Sequence, residues 1–154
     1  MSDDVNQAGG SKLAELERSI GFNMGVTYRK LTSLFQQRLK EFGITPEQWS
    51  ALYQVERGDG LMQKTIAERT GKDRPTTTRI LDHLEAKELI YKRTGEHDRR
   101  SFFVYATEKG KELIALTVPV EQQMVRELTR CMTEEEYELL LALLSRIDRH
   151  IDSL

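Results

Sequence analysis

The sequence is poor in the residues that build disulfides and metal sites. It has one cysteine, Cys131, and three histidines, which are His83, His97 and His150. A single cysteine excludes an internal disulfide and fits a reducing compartment. The four side chains lie far apart in sequence, which is a poor inventory for a metal site. We therefore expect no metal and no cofactor.

Long apolar runs are also missing. No stretch approaches the roughly 20 consecutive apolar residues that a membrane-spanning helix needs. The first residues, MSDDVNQAGGSK, lack the basic segment followed by an apolar segment that marks a signal peptide. We expect a cytoplasmic protein. Nor does the sequence contain a nucleophile elbow, a glycine-rich phosphate loop or positioned paired carboxylates, so we do not expect an enzyme.

The charge is distributed unevenly along the chain. The 154 residues carry a formal net charge of −2, which by itself does not indicate a nucleic-acid partner. Residues 61–106, however, hold ten Lys and Arg against seven Asp and Glu, whereas residues 107–154 hold six against ten. The middle of the chain is therefore basic between acidic flanks, although a chance fluctuation of a few charges would look the same.

The two ends of the chain are predicted to be a tail and long helices. Residues 1–12 are polar and are predicted to be a disordered tail. Residues 13–42 show apolar side chains at helical spacing and predict one helix, which could be interrupted near Gly21 to Gly25. Gly43 is a plausible left-handed stop for this helix.

A strong helix start follows this segment. Thr45 can cap a helix in which Pro46 is the first residue and Gln48 the third. This helix is expected to stop at Gly58. Its aromatic residues, Trp49 and Tyr53, are expected to be core residues rather than residues that stack on a ligand.

Residues 61–110 contain two short helical patterns and a hairpin pattern. Gln63 to Thr70 predicts a helix that begins without a capping side chain and ends at Gly71. A second helix, capped by Asp73, is predicted to run to Lys87. Two stretches rich in β-formers, at 89–91 and 102–105, flank a polar, basic turn. The pattern predicts a mainly α fold with a small β-hairpin wing, a winged helix-turn-helix lobe spanning 45–106, whose second helix would enter the DNA major groove.

The remaining residues, 107–154, predict helices with an apolar seam. Thr107 can cap the first of them, and Pro119 would kink or restart it. Thr133 to Glu136 form a capping box. The apolar side chains behind it are spaced three and four apart: Tyr137, Leu140, Leu144, Ile147 and Ile151. Such a seam must face either the N-terminal helix or a second subunit. We expect both, which makes 13–42 and 107–154 dimerisation regions; a purely intramolecular bundle is the alternative.

The basic lobe offers three groups of candidate DNA contacts. The start of the second helix would read bases, and its candidates are Arg74, Thr76, Thr77 and Arg79. Phosphate contacts would come from cations and from a helix N-terminus, namely Gln63, Lys64, Lys72, Lys92 and Arg93. The wing candidates for the minor groove are Asp98, Arg99 and Arg100, with Asp98 pairing with an arginine of the wing.

These residues resemble the MarR family of bacterial transcription regulators. The resemblance covers residues 13–152 and is carried by Thr45-Pro46-x-Gln48-Trp49, by the Gln63 to Arg69 helix, by Thr78-Arg79-x-Leu81-Asp82, and by Asp98-Arg99-Arg100-Ser101. It implies a homodimer on double-stranded DNA with a pseudo-palindromic operator, most often a repressor. It also implies a pocket for a small aromatic or anionic effector between the dimerisation helices and the lobe. Candidate pocket residues from that geometry are Met24, Tyr28, Trp49 and Tyr53, each also explained as plain core.

Three residues depart from the family pattern. Glu88 stands where the family usually has glycine, so the turn into the wing is expected to be either more strained or differently closed. Met62 replaces the usual capping Thr or Ser. Cys131 is expected to be an inert core thiol. Two alternatives to the DNA-binding regulator stay open: a winged-helix module that binds proteins without binding DNA, and a redox-responsive regulator that uses Cys131.

Overall fold

The computed structural model describes residues 15–96 and 100–154. The tail expected at 1–12 and the wing candidates Asp98 and Arg99 lie outside these residues. By their contacts the residues form two compact units, one extending to Ile114 and the other comprising Ala115–Leu154. None of the described helices is both long and apolar enough to cross a membrane.

The fold is mainly helical with a small antiparallel sheet, as the sequence predicts. Two short 3-10 turns, Lys40–Phe42 and Thr129–Cys131, accompany the regular elements. In chain order these elements are α1 (Ile20–Leu39), α2 (Pro46–Arg57), β1 (Leu61–Met62), α3 (Gln63–Thr70), α4 (Arg74–Ala86), β2 (Ile90–Thr94), β3 (Phe102–Ala106), α5 (Glu108–Leu128) and α6 (Glu134–Ile151).

Local capping signals set most helix ends. Thr45 caps α2 in a capping box with Gln48, and Thr133 caps α6 in the same way with Glu136. The Thr107 hydroxyl accepts a hydrogen bond from the Gly110 amide at the start of α5. No side chain caps α3, since Met62 stands at its cap position. These four starts confirm the predictions made from sequence.

The sequence allowed an interruption of the N-terminal helix near Gly21 to Gly25 and a kink or restart at Pro119. The interruption occurs slightly earlier, because the helical residues 15–17 are separated from α1 at Arg18 and Ser19. α1 begins after Ser19, whose hydroxyl accepts from the Phe22 amide, and runs unbroken through Gly21 and Gly25. An interior glycine costs a helix only about 1 kcal/mol, which is not enough to end it. A capping serine determines where a helix starts more strongly than that. α5 likewise continues through Pro119 without a restart.

The core of the first unit lies between the helices and the sheet. Contacts join α2 to α4, α3 to α4, and α2 to β3. The largest side chains with almost no exposure include Leu39, Leu52, Ile66, Leu81 and Leu84. The sheet order is β1-β3-β2, with Leu61 opposite Val104 and Thr94 opposite Phe102. The two-residue strand β1 was not predicted; it closes the sheet beside α3 and holds the wing base against the helix-turn-helix.

Candidate nucleic-acid interface

The N-terminal half of α4 is held by its cap and by its buried face. The Asp73 carboxylate accepts a hydrogen bond from the Thr76 amide at 2.8 Å. That backbone hydrogen bond, together with one to the Thr76 side chain, lowers the pKa of Asp73 below its ordinary value. Ile80, Leu81 and Leu84 are buried in the core. Arg74 and Arg79 are therefore left on the exposed side of the helix.

The expected placement of Thr77 on the exposed face is wrong. Only 1% of Thr77 is exposed, and its hydroxyl donates to the Asp73 carbonyl oxygen at 2.8 Å. The reason is helical spacing, because Thr77 lies three and four residues before Ile80 and Leu81 and shares their face. Thr76 is half-buried, whereas the neighbouring Thr78 is exposed.

Thr78 is a further candidate contact, which the sequence analysis named in a motif but did not include among the candidate DNA contacts. It lies one turn after Arg74 on the exposed face, and its hydroxyl donates to the Arg74 carbonyl oxygen at 3.0 Å. The Gln63 side-chain amide in turn donates to the Thr78 hydroxyl at 2.6 Å. This bond ties the start of α3 to α4, so the two helices present one continuous polar surface. Extending the apolar spacing of α4 back by one turn would have identified Thr78 in place of Thr77.

A carboxylate from α2 holds two of the candidate cations. Glu47 Oε1 lies 3.0 Å from Lys72 Nζ, and Glu47 Oε2 lies 3.5 Å from Arg79 Nη2. The hydrogen bond from Lys72 lowers the pKa of Glu47 below 4.5; Arg79 adds to the effect, and partial burial opposes it. Sequence gave no signal for this cluster, because Glu47 is 25 residues from Lys72 and 32 from Arg79.

The two candidate cations of β2 lie on opposite faces of the sheet. Lys92 Nζ lies 3.1 Å from an Asp82 carboxylate oxygen and 3.8 Å from one of Glu85, both on α4. The Arg93 guanidinium instead lies 5.3 Å from the Tyr91 ring centroid, beside Tyr105. Alternation along a strand explains this, because successive side chains point to opposite faces. The two cations therefore cannot contact one phosphate together.

A concave surface joins α3, the start of α4 and the base of the wing. We call it the basic groove; its volume is about 570 Å³. Four cations line it, together with Glu68 and the apolar side chains of Met62, Ala67 and Phe102. The cations are Lys64, Lys72, Arg74 and Arg100. An electropositive groove of this kind attracts a phosphate backbone.

The wing is anchored at both ends in the described residues. The Gly95 amide donates to the Ser101 carbonyl oxygen at 3.0 Å and closes the hairpin beyond the last strand pair. At the other end, Glu88 has a φ of 59°, and it is the one non-glycine residue with positive φ in 15–96 and 100–154. The strained entry into the wing expected from sequence is confirmed. Arg100 is exposed and borders the basic groove, whereas the positions of Asp98 and Arg99 are not described.

The four candidate effector residues fall into two pairs. Trp49 and Tyr53 are half-buried and stacked, with ring centroids 5.2 Å apart. Trp49 also meets the edge of Phe35, at 5.1 Å between centroids. Met24 and Tyr28 are exposed on α1. At 1.5 Å of rise per residue they lie about 16 Å and about 10 Å along the helix from Phe35, so α1 does not bring them to the stacked pair.

Cys131 does not lie in a core. Its side chain is exposed in the 3-10 turn Thr129–Cys131 and donates to the Leu128 carbonyl oxygen at 3.3 Å. The prediction of a core thiol is therefore wrong, because the turn directs this residue outward. Within the part of the chain that the structure covers, no cluster of three or more metal-ligating side chains occurs.

Comparison with known proteins shows what this arrangement is similar to. Residues 42–101 match the model of the MarR family. The transcriptional regulator SlyA is 28% identical, with 88% of this chain and 95% of that chain covered and a TM-score of 0.82. S. aureus MepR in complex with DNA is 28% identical, with 88% and 98% covered and a TM-score of 0.78. The repressor CouR on a 23-mer DNA duplex is 27% identical, with 87% and 95% covered and a TM-score of 0.79. The matched segment contains the helix-turn-helix and most of the wing, and the chain is similar in sequence and fold to winged-helix transcription regulators of the MarR family.

Proposed function

We propose that this chain is a homodimeric DNA-binding transcription regulator of the cytoplasm, a repressor that leaves a pseudo-palindromic operator when a small ligand binds. The observation that carries the proposal is the exposed polar and basic surface around the start of α4. Arg74, Thr78 and Arg79 lie on the side of α4 that faces away from the core. An α-helix with its N-terminal residues so exposed fits the major groove.

The surroundings of α4 suit the sugar–phosphate backbone. The basic groove continues from Arg74 to Arg100 at the base of the wing. A guanidinium there would reach the adjacent minor groove, where the potential is most negative. The similar structures of MepR and CouR were both solved with DNA. These features favour DNA over a protein partner for this surface.

The apolar faces of α1 and α6 support the dimer. Ile20, Phe22 and Tyr28 on α1 are each more than half exposed. No residue of α6, which lies wholly in the described part of the chain, is buried. Exposed apolar side chains grouped on a helix in this way indicate a surface that contacts another protein. A dimer would set two α4 helices about one helical turn of DNA apart, and a ligand that favours another spacing would release the operator.

The test is DNA binding by fluorescence anisotropy at several salt concentrations. The probe is a duplex selected from a random pool by the protein itself. Arg74→Ala should weaken binding by about 1–3 kcal/mol, the usual contribution of an arginine at a base edge. Lys111→Ala removes an equal charge from the start of α5, where Lys111 pairs with Glu108, and should leave binding unchanged. Failure to select any duplex, or affinity that does not fall with salt, would contradict the proposal and favour a protein-binding module.

A further inference from the structure

We propose that Glu47 is a specificity-determining residue of the DNA interface, because its carboxylate occupies Lys72 and Arg79 until an operator phosphate displaces it. The inference rests on the proposed function. On DNA of arbitrary sequence the two cations would stay mostly with Glu47 and add little to binding. On the operator, base contacts from α4 would hold the backbone close enough to take them over.

The geometry makes Glu47 a bridge rather than a simple surface pair. Its two carboxylate oxygens engage different cations, Lys72 at 3.0 Å and Arg79 at 3.5 Å. Lys72 belongs to the turn between α3 and α4, and Arg79 belongs to α4 itself. Both cations are candidates for DNA contact, so one carboxylate neutralises two positions of the interface.

The cluster is accessible enough for phosphate to compete. Glu47 and Arg79 have 39% and 56% of their side chains exposed, and Lys72 has 27%. Ion pairs at such exposure are weak and screened by salt, so an incoming phosphate can replace the carboxylate. The lowered pKa of Glu47 shows that the carboxylate is charged at neutral pH and therefore repels a phosphate that approaches without displacing it.

Selectivity for the operator follows from the different contacts that hold the complex with arbitrary DNA and the complex with the operator. Binding to arbitrary DNA rests on phosphate contacts alone, and each neutralised phosphate contributes about 0.9 to the salt slope. Glu47 removes two cations from that set. In the operator complex, base contacts fix the register of α4 on the duplex, so the phosphates beside Lys72 and Arg79 are presented at short range. Glu47 thus lowers affinity for arbitrary DNA more than affinity for the operator.

Glu47→Gln tests the inference against Glu56→Gln. Glu56 lies on the same helix, nine residues further on, and its substitution changes net charge equally. Affinity is measured against the selected duplex and a shuffled duplex of equal length over a salt series. Glu47→Gln should tighten binding to the shuffled duplex roughly 2- to 30-fold, the equivalent of two exposed ion pairs. The shuffled-duplex salt slope should steepen by about 0.9–1.8. The selected duplex should gain less, so that the specificity ratio falls.

Lys72→Gln in both backgrounds gives a second, independent reading. With Glu47 present, Lys72→Gln should weaken affinity for the shuffled duplex only slightly. In the Glu47→Gln background it should weaken that affinity several-fold. An equal effect in both backgrounds, weaker binding by Glu47→Gln to both duplexes, or the same gain from Glu56→Gln would overturn the inference and make Glu47 a structural strut or a source of bulk charge. A wild-type chain that binds neither duplex would instead refute the proposed function.

Discussion

Glu88 is the residue at which local strain is most visible. Its amide donates to the Glu85 carbonyl oxygen at 2.9 Å, and its carbonyl oxygen accepts from the Thr107 hydroxyl at 2.7 Å. Both bonds fix the left-handed backbone that leads from α4 towards β2. A side chain in this conformation costs about 1–2 kcal/mol relative to glycine.

Glu88→Gly should therefore stabilise the protein. Relief of the left-handed strain, less the extra entropy of an unfolded glycine, predicts a gain of roughly 0.5–1 kcal/mol in the free energy of unfolding. Urea denaturation measures it. Glu112→Gly, at an exposed position inside α5, is the matched control and should destabilise by about 1 kcal/mol. A Glu88→Gly variant no more stable than wild type would show that the hydrogen bonds, and not the strain, dominate at this turn.

At the scale of elements, the cap of α4 makes stability depend on pH. The pKa of Asp73 is lowered in the folded state by the hydrogen bonds to Thr76. A lowered pKa means that the unfolded state binds the proton more readily. The stabilisation is therefore complete above the ordinary value of 3.8 and is lost as pH falls through the folded pKa. The pKa of Glu47 is also lowered, so its contribution to stability is likewise lost as pH falls. Burial raises the pKa of Glu121, so its contribution to stability depends on pH in the opposite direction.

Asp73→Asn separates the charge from the cap. Asparagine caps a helix about as well as aspartate but has no carboxylate to titrate. Wild type should have the higher Tm at neutral pH, and the difference should shrink as pH falls below the ordinary pKa of 3.8 and through the lowered pKa of folded Asp73. Thermal melts followed by circular dichroism across this range measure the difference, and Asp73→Ser should behave like Asp73→Asn. A Tm difference that stays constant with pH would refute the assignment to Asp73.

The elements also show what the sequence can predict. Thr45 and Thr133 define their helix starts because capping depends on residues three positions apart. The strand β1 could not be found in the same way, because its two residues become a strand only by pairing with β3, more than 40 residues later. The Glu47 bridge likewise joins residues that are far apart in sequence, with separations of 25 and 32 positions. Thr77 is a different case, because helical spacing alone places it on the buried face with Ile80 and Leu81. The prediction did not extend the apolar spacing of α4 back by that one turn.

At the scale of the whole molecule, the exposed apolar surface of α6 is the feature that a single chain does not explain. The large apolar side chains of α6 that are exposed are Leu139, Leu140, Leu141, Leu143, Leu144 and Ile151. The seam predicted from sequence includes Leu140 and Leu144, which are 41% and 36% exposed. Burying a leucine side chain contributes roughly 1.5–3 kcal/mol, so this face favours self-association strongly.

A double substitution, Leu140→Glu with Leu144→Glu, should convert the dimer to a monomer. Four leucines lost per dimer, each with about 40% of its surface left to bury, correspond to roughly 2–5 kcal/mol, or about a 30- to 5,000-fold rise in the dissociation constant. The first unit should keep its fold, because α6 lies outside it. Sedimentation velocity measures the oligomeric state, and anisotropy should show affinity for a palindromic duplex reduced to that of a single half-site. Arg146→Glu changes net charge by the same amount at an exposed position away from the seam and should remain dimeric. If the double variant stayed dimeric, the seam of α6 would not hold the dimer, and the interface would have to lie on α1 or α5.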